Sequence, residues 1–244
     1  MTPSPSPYNS AHFRASIAKI LLVVGAAAAG ISLLAEALSL AFPPLTEDQE
    51  LGENMMGAGI AVVIFLLAIL EFIIYITTVV FFLIWLHRSY KNLRAFSNWS
   101  RLDSSPGWAV GSFFVPFLNL VVPYRAVKEV WQKSWPPDEA LLSAPSPPAQ
   151  FPLWWTFWLL SCFANNISFR LSFNENVPES SVTIVSIIAS GLSIVAAAFC
   201  YLVVDAIDKR QEETSRTVNL IKPSGPPPPL PFTPVSDAVA PSNY

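Results

Sequence analysis

The chain of 244 residues has histidine only at positions 12 and 87. Chemistry that needs a base near neutral pH therefore has little to draw on. His87 stands beside Arg88, so a metal site built on it needs carboxylates gathered from elsewhere. No H-E-x-x-H run, paired-Cys spacing or Gly-rich phosphate loop occurs. Neither a Ser-centred elbow nor a Cys–His pairing is present, and a Ser/His/Asp arrangement has only His87 as its base. The residues thus name no catalytic group, no metal and no cofactor, and the expectation is a protein that is not an enzyme. Cys162 and Cys200 both lie in apolar segments, where a thiol serves as a small apolar side chain rather than half of a disulfide.

Ionisable residues inside apolar segments are more informative. A charge in a membrane span is costly unless it finds a partner or water. Glu71 falls near the middle of the second apolar segment, Glu36 in the outer part of the first, and Arg170 in the outer part of the third. Glu71 is a candidate proton or cation site, with Asn165 and Asn166 opposite. The competing reading is a protonated carboxyl hydrogen-bonded between helices. Glu36 and Arg170 come to similar depth, and the expectation is an ion pair between them.

A second constellation lies between Trp85 and Trp131. Basic residues and Asn alternate there with aromatics, and prolines bracket an apolar run of about 15 residues, short of the roughly 20 that a spanning helix needs. Pro116 cannot donate to a helical ladder. Asn119 follows it by about one turn, with a side chain able to bond the carbonyl so freed. The expectation is that Trp108–Val122 dips in and returns or lies against the bundle, with Arg88 and Asn92 holding its backbone. Pro123 ends the run, and Tyr124–Ser134 reads as an amphipathic helix. Its apolar face is Tyr124, Val127, Val130 and Trp131; its wet face is Arg125, Lys128, Glu129 and Lys133, with Arg125 and Glu129 spaced i,i+4.

Several of these residues also carry a resemblance. Trp85-Leu86-His87-Arg88, Asn92-Leu93, Pro106-x-Trp108-Ala109-Val110-Gly111 and Phe114-Val115-Pro116-x-x-Asn119-Leu120-x-x-Pro123 together resemble the signature of a bacterial membrane family catalogued as domain of unknown function 4328. The likeness is strongest over about 85–135 and extends by hydropathy from about 17 to 210. Ser112 departs from it, standing where such proteins often have a bulky aromatic. The resemblance implies a multi-helix integral membrane domain and no activity. Its motif residues Trp85, Arg88, Asn92, Trp108, Pro116, Asn119 and Pro123 are the candidate functional positions.

The elements that must position these groups are set by hydropathy. The chain is 52% hydrophobic and 13% charged, with net charge −3, against about 25% charged residues in a typical soluble domain. Mean hydropathy is +0.46. Residues 1–16 form a Ser/Pro-rich leader expected to be disordered. A membrane domain follows over 17–210, with spans at about 17–42, 58–86, 153–171 and 182–204. A re-entrant or interfacial module occupies 106–134, a Pro-rich linker 135–152, and a Pro-rich disordered tail 211–244. The first segment mimics a signal peptide through Ala35-x-Ala37, but its apolar run of about 26 residues exceeds a signal core, so a retained helix is expected. Small residues recur every four positions at Ala189, Ser193 and Ala197 and at Gly25 with Ala29, a pattern that lets helices approach closely in lipid.

The expected fold is therefore an all-α integral membrane protein with four transmembrane helices, a Pro-kinked hairpin and an amphipathic helix. If Trp108–Val122 does not cross, every one of the 14 Lys and Arg residues except Arg170 falls on one side. The positive-inside rule makes that side, with both termini, cytoplasmic, in an inner or plasma membrane. Basic residues beside aromatics over Arg88–Arg101 suit such a membrane-surface loop, with anionic lipid head groups, rather than nucleic acid. Two function classes remain open. One is a scaffold or regulatory protein whose basic cytoplasmic face and Pro-rich tail meet a protein partner or a second copy. The other is a small transporter or channel using Glu71 and the Pro116/Asn119 hairpin.

Overall fold

The computed structural model describes residues 8–41, 52–96, 102–135 and 146–221. Every regular element among them is helical: α1 (His12–Ala41), α2 (Gly52–Phe96), α3 (Pro106–Gly111), α4 (Val122–Lys133), α5 (Gln150–Leu171) and α6 (Glu179–Ile221). Two 3-10 turns, Ser112–Phe114 and Leu118–Leu120, lie between α3 and α4. Three stretches are long and apolar enough to cross a membrane: His12–Leu38, Phe65–Phe96 and Glu179–Thr217. The 22 residues of α5 have the length, but Asn165, Asn166, Arg170 and its serines dilute the hydropathy. Hydroxyls inside the apolar part of α2 are satisfied locally, Thr77 and Thr78 each donating to the carbonyl four residues back.

α1 packs on α2 and on α6, and α5 packs on α6. α2 and α5 thus close the bundle only at one end, here called the base, where Phe82 meets Trp154 with ring centroids 5.7 Å apart. The two ends of the bundle differ in kind. Toward the far end, large apolar side chains such as Ile31, Phe65, Phe72 and Phe169 are exposed, the pattern expected of a lipid-facing belt. At the base, Trp85, Leu86, Tyr90, Val127, Phe151 and Val203 are fully buried. α3 and α4 pack against α2 there and complete a core.

Several expectations are corrected. Helix α1 begins at His12 rather than near 17, and the leader residues before it are held: Tyr8 and Ser10 hydroxyls both donate to the Glu212 carboxylate. His12 Nδ1 lies 2.7 Å from Asp208, and Lys19 Nζ lies 2.9 Å from Asp205. α6 runs unbroken to Ile221, well past the 211 at which a tail was expected, because Val203, Val204, Ile207, Gln211 and Thr214 keep a buried stripe at helical spacing. α2 likewise continues to Phe96. At 45 and 43 residues, α2 and α6 are about 65 Å long at ~1.5 Å per residue, roughly twice a bilayer core of about 30 Å. The rest of the expected leader (1–7), most of the linker (136–145) and the remaining tail (222–244) lie outside the described residues.

The chain around Pro116 does not form a kinked helix. α3 is N-capped by Ser105, whose side chain accepts from Trp108 N at 3.1 Å, and it ends by Gly111. The Leu118 N–H then donates to Pro116 O at 2.8 Å, closing a three-residue γ-turn centred on Phe117 at φ 64°, ψ −39°. Asn119 closes the next turn with its backbone N–H to Val115 O at 3.0 Å, not with its side chain.

Candidate functional site

Between α1, α2, α5 and α6 lies a cavity of about 830 Å³, and Glu36 and Glu71 both line it. The helices leave this space because α1 turns small residues inward along it, including Gly25 and Ala29. A methyl group added at Gly25 meets the Ile74 side chain at 3.7 Å, so the contact there is close without being filled. The small-residue repeats read from sequence thus open a volume as well as bringing helices together.

The cavity is polar at the far end and aromatic at the base. Ser32 Oγ donates to Glu71 Oε1 at 2.5 Å. Ser32 and Glu36 are one turn apart on α1, so this bond brings the two carboxylates to one level of the bundle. Asn165, Ser186 and Ser190 line the same cavity, with Tyr75 and Thr78 a little deeper. A second cavity of about 680 Å³ lies under the α5–α6 loop, and Glu36 and Ser186 line it too. Toward the base the lining becomes Phe82, Phe113, Trp154 and Trp158. Phe82 sits 6.1 Å from Phe113 and 5.7 Å from Trp154, rings that form a floor, with Trp155 behind Trp154 at 5.4 Å. Phe82, Trp154 and Trp155 are buried. The arrangement is a cup-shaped lining with acidic and hydroxyl groups toward the far end and aromatic rings toward the base.

The expected ion pair of Glu36 with Arg170 does not form. Arg170 is exposed, and its Nε donates to Asn166 Oδ1 at 2.9 Å, one turn back on α5. Glu36 and Leu171, the neighbour of Arg170, line one cavity, but the Arg170 side chain turns back along α5. Asn165 reaches the cavity lining while its Nδ2 donates to Ser161 O at 2.8 Å. The hairpin contributes Phe113 and Phe114 to the cavity, and not Pro116 or Asn119.

The motif residues instead gather at the base. Trp85 is wholly buried, Pro123 is buried, and Trp108 remains 46% exposed. Arg88 Nε donates to Asn9 O at 3.1 Å, and Asn92 Nδ2 to Gln211 Oε1 at 3.3 Å, so neither holds the hairpin as expected. Other residues do: His87 Nδ1 lies 3.2 Å from Pro106 O, and Trp155 Nε1 donates to Leu120 O at 3.0 Å. Glu129, expected on the wet face of α4, is buried. It accepts from the Tyr90 hydroxyl, from Asp103 N at 2.7 Å and from Lys133 Nζ at 2.5 Å, so the i,i+4 pair is with Lys133 rather than Arg125. Burial is possible because three donors meet its oxygens. Arg210 stacks its guanidinium 3.6 Å from the Trp135 ring.

Gln211 and Tyr90 were missed by sequence reasoning, as were Ser32, Ser186 and Ser190 of the cavity, and Glu129 was placed on the wrong face of α4. The spacing of Ser186, Ser190 and Ser193 along one side of α6, and of Ser32 four residues before Glu36, was the available signal. Among the described residues no group of three or more His, Cys, Asp or Glu side chains is arranged to hold a metal ion.

Residues 49–209 match the sequence model of the family described as Domain of unknown function (DUF4328), and the chain belongs to that family. No curated protein and no solved structure matches it. The matched region takes in α2 through most of α6, including the floor of the cavity and Glu71, whereas Glu36 and Ser32 on α1 lie before it.

Proposed function

We propose that this member of the DUF4328 family is a four-span protein of a cell membrane, inner or plasma, that admits a small solute into its intramembrane cup from the outer side. α5 is the fourth span. Its 22 residues reach about 33 Å at ~1.5 Å per residue. The base and both termini are cytoplasmic: Arg14, Lys19, Arg88, Arg125, Lys128 and Arg210 belong to segments packed at the base, and Arg170 is at the other end. That asymmetry is what the positive-inside rule asks of the cytoplasmic side. The hairpin between α3 and α4 turns at the cytoplasmic interface, its exposed Phe114 and Phe117 toward lipid, with Arg125 and Lys128 toward anionic head groups.

One observation carries the reading: Glu36 and Glu71 line one cavity of about 830 Å³ that is floored by aromatic rings. Carboxylates inside a bundle mark a solute or ion path where they face a cavity rather than a sealed interface. The geometry therefore favours the transporter-like class, with the aromatic floor as the closed inner gate. A scaffold or regulatory role is the second reading, and the compact polar base supports it. Cys162 tests the first reading, since it lines the cup and is exposed, while Cys200 is buried. A permanently charged thiol reagent added outside intact cells should label Cys162 and spare Cys200. If Cys162 stays unlabelled, the cup is filled with lipid rather than water and the solute reading falls. Cysteines placed singly at Val177 and Lys128, with Cys162 and Cys200 replaced, should label from outside and inside respectively; outside labelling at Lys128 would invert the topology.

A further inference from the structure

We infer that an anionic phospholipid binds the seam between α1 and α2 at the base, its phosphate held between Arg14 and Arg88 and an acyl chain along the apolar strip beside them. The inference holds whether or not the cup takes a solute. It begins from helical register. The two helices are antiparallel and face each other where Gly25 meets Ile74. Arg14 lies 11 residues before Gly25, about three turns at ~3.6 residues per turn, so it stands on the same stripe of α1. Arg88 lies 14 residues after Ile74, about four turns, and stands on the matching stripe of α2. The difference of three residues sets their backbones about 4.5 Å apart along the bundle at ~1.5 Å per residue. Two arginine side chains reach across more than that, and the two guanidiniums are close enough to repel one another.

Among the described residues nothing offsets that repulsion. The carboxylates that α6 turns toward α1 are each engaged elsewhere: Asp205 by Lys19 and Lys209, Asp208 by His12, and Glu212 by Tyr8 and Ser10. Arg14 makes no hydrogen bond or ion pair with a described residue, and Arg88 uses only Nε, on Asn9 O at 3.1 Å. The Nη groups of Arg88 and the whole guanidinium of Arg14 therefore form a donor set of the kind that meets phosphate oxygens. Lipid rather than free phosphate follows from the surroundings. One and two turns deeper on the Arg88 side of α2 stand Ile84 and Val80, 44% and 46% exposed, and Phe13, next to Arg14, is 76% exposed. Ile17, one turn deeper than Arg14 on α1, is half-buried. A cation pair at the head of an exposed apolar strip complements a phosphate head group above its acyl chain. A choline or ethanolamine head would bring a cation of its own to a place where no described acid is left to receive it, so the net charge of the lipid matters.

The test uses the full-length protein in uncharged detergent micelles and counts bound lipid by native mass spectrometry. Phosphatidylglycerol should be retained as one tight molecule per chain. Phosphatidylcholine and inorganic phosphate should each need at least about tenfold higher concentration. Arg14→Gln with Arg88→Gln should weaken the phosphatidylglycerol site by about tenfold or more. Lys209→Gln with Arg216→Gln removes equal charge from exposed positions of α6 and should change it by less than about threefold. Equal retention of phosphatidylcholine would overturn the inference, since lipid charge would then play no part. Inorganic phosphate bound as tightly as the lipid would overturn it by making the seam a free-anion site. A loss with the α6 pair as large as with the arginine pair would overturn it too, because the whole basic surface would then be responsible. Should the double arginine variant fail to fold, Arg14→Gln alone decides: Arg14 has no described partner to lose, its removal should weaken the site by at least about threefold, and an unchanged affinity would refute the site. None of these outcomes turns on whether Cys162 meets water.

Discussion

Replacing Gln211 by Leu should be among the most damaging single changes outside the cup. Its side chain is 1% exposed and uses all its polarity. Nε2 donates to Ser89 O at 2.9 Å and to Ser134 Oγ at 3.1 Å, and Oε1 accepts from Asn92 Nδ2 at 3.3 Å. Ser134 is itself tied in, donating to Val130 O at 2.5 Å and accepting at its carbonyl from Thr214 at 2.7 Å. Leu fills a similar volume, so the change removes hydrogen bonds with little cavity term. Three buried bonds at about 1 kcal/mol each set the loss near 3 kcal/mol, and stranding the Asn92 amide prevents that figure from shrinking. Asn92→Ala loses one long bond and should cost about 1 kcal/mol. Because the two share a bond, the double variant should cost about 1 kcal/mol less than the sum. The assay is the midpoint of denaturant unfolding in detergent micelles for the four chains of the cycle. A Gln211→Leu loss below about 1 kcal/mol, or strict additivity with Asn92→Ala, would refute the claim that this motif asparagine is a structural clamp on α6.

Three further changes probe other parts of the structure. Glu129→Ala should destabilise by about 2–3 kcal/mol, since the Tyr90 hydroxyl and the Asp103 N–H lose an acceptor and Lys133 loses one of its partners; Glu129→Gln, which keeps an acceptor oxygen, should cost visibly less in the same unfolding measurement. At Phe117, with φ 64°, Phe117→Gly should be more stable than Phe117→Ala by about 1 kcal/mol, reversing the usual order of those residues. If Ala proves the better residue at 117, the γ-turn is wrong. Burial, and next the Glu212 carboxylate, push the Tyr8 phenol well above its ordinary 10.0. The folded chain then keeps that proton while the unfolded chain releases it, so the stability Tyr8 contributes is complete below pH 10 and declines above it. Tyr8→Phe should therefore flatten the loss of stability between about pH 10 and 12, followed by tryptophan fluorescence; an unchanged slope would place Tyr8 in water.

The sequence was most readable where one physical demand acts alone. Runs such as Ile17–Leu34 and Val182–Val204 have to be helical if they meet lipid, and they are. Glu71 stood out for the same reason, as a charge with no cheap place to go. Reading failed where two demands meet. Lys19, Asp205 and Asp208 look like the end of a span, yet they pair across α1 and α6 and let both helices run on as a packed base. Asn92 and Gln211 are separated by 119 positions, and no local pattern announces that they touch. What could have been seen is the buried stripe Ala11, Ala15, Ala18 and Leu22, whose spacing of four and three begins before the expected start of α1. The same holds for Val203 to Thr214 beyond the expected end of the last span.

Glu36 and Arg170 mark the limit of depth as an argument. Helical rise fixes how far along the bundle a residue lies, and both sit near the far end. Rotation about each helix axis fixes what a side chain meets, and about 100° per residue lets one position change the neighbour entirely. Glu36 is set toward Glu71 by being one turn from Ser32, which bonds Glu71. Arg170 is set outward by being one turn from Asn166, which takes its guanidinium. In each case an i,i+4 relation on the residue's own helix chose its surroundings. That choice sets Glu36 in the lining of the cavity that Glu71 also faces, and leaves Arg170 outside it.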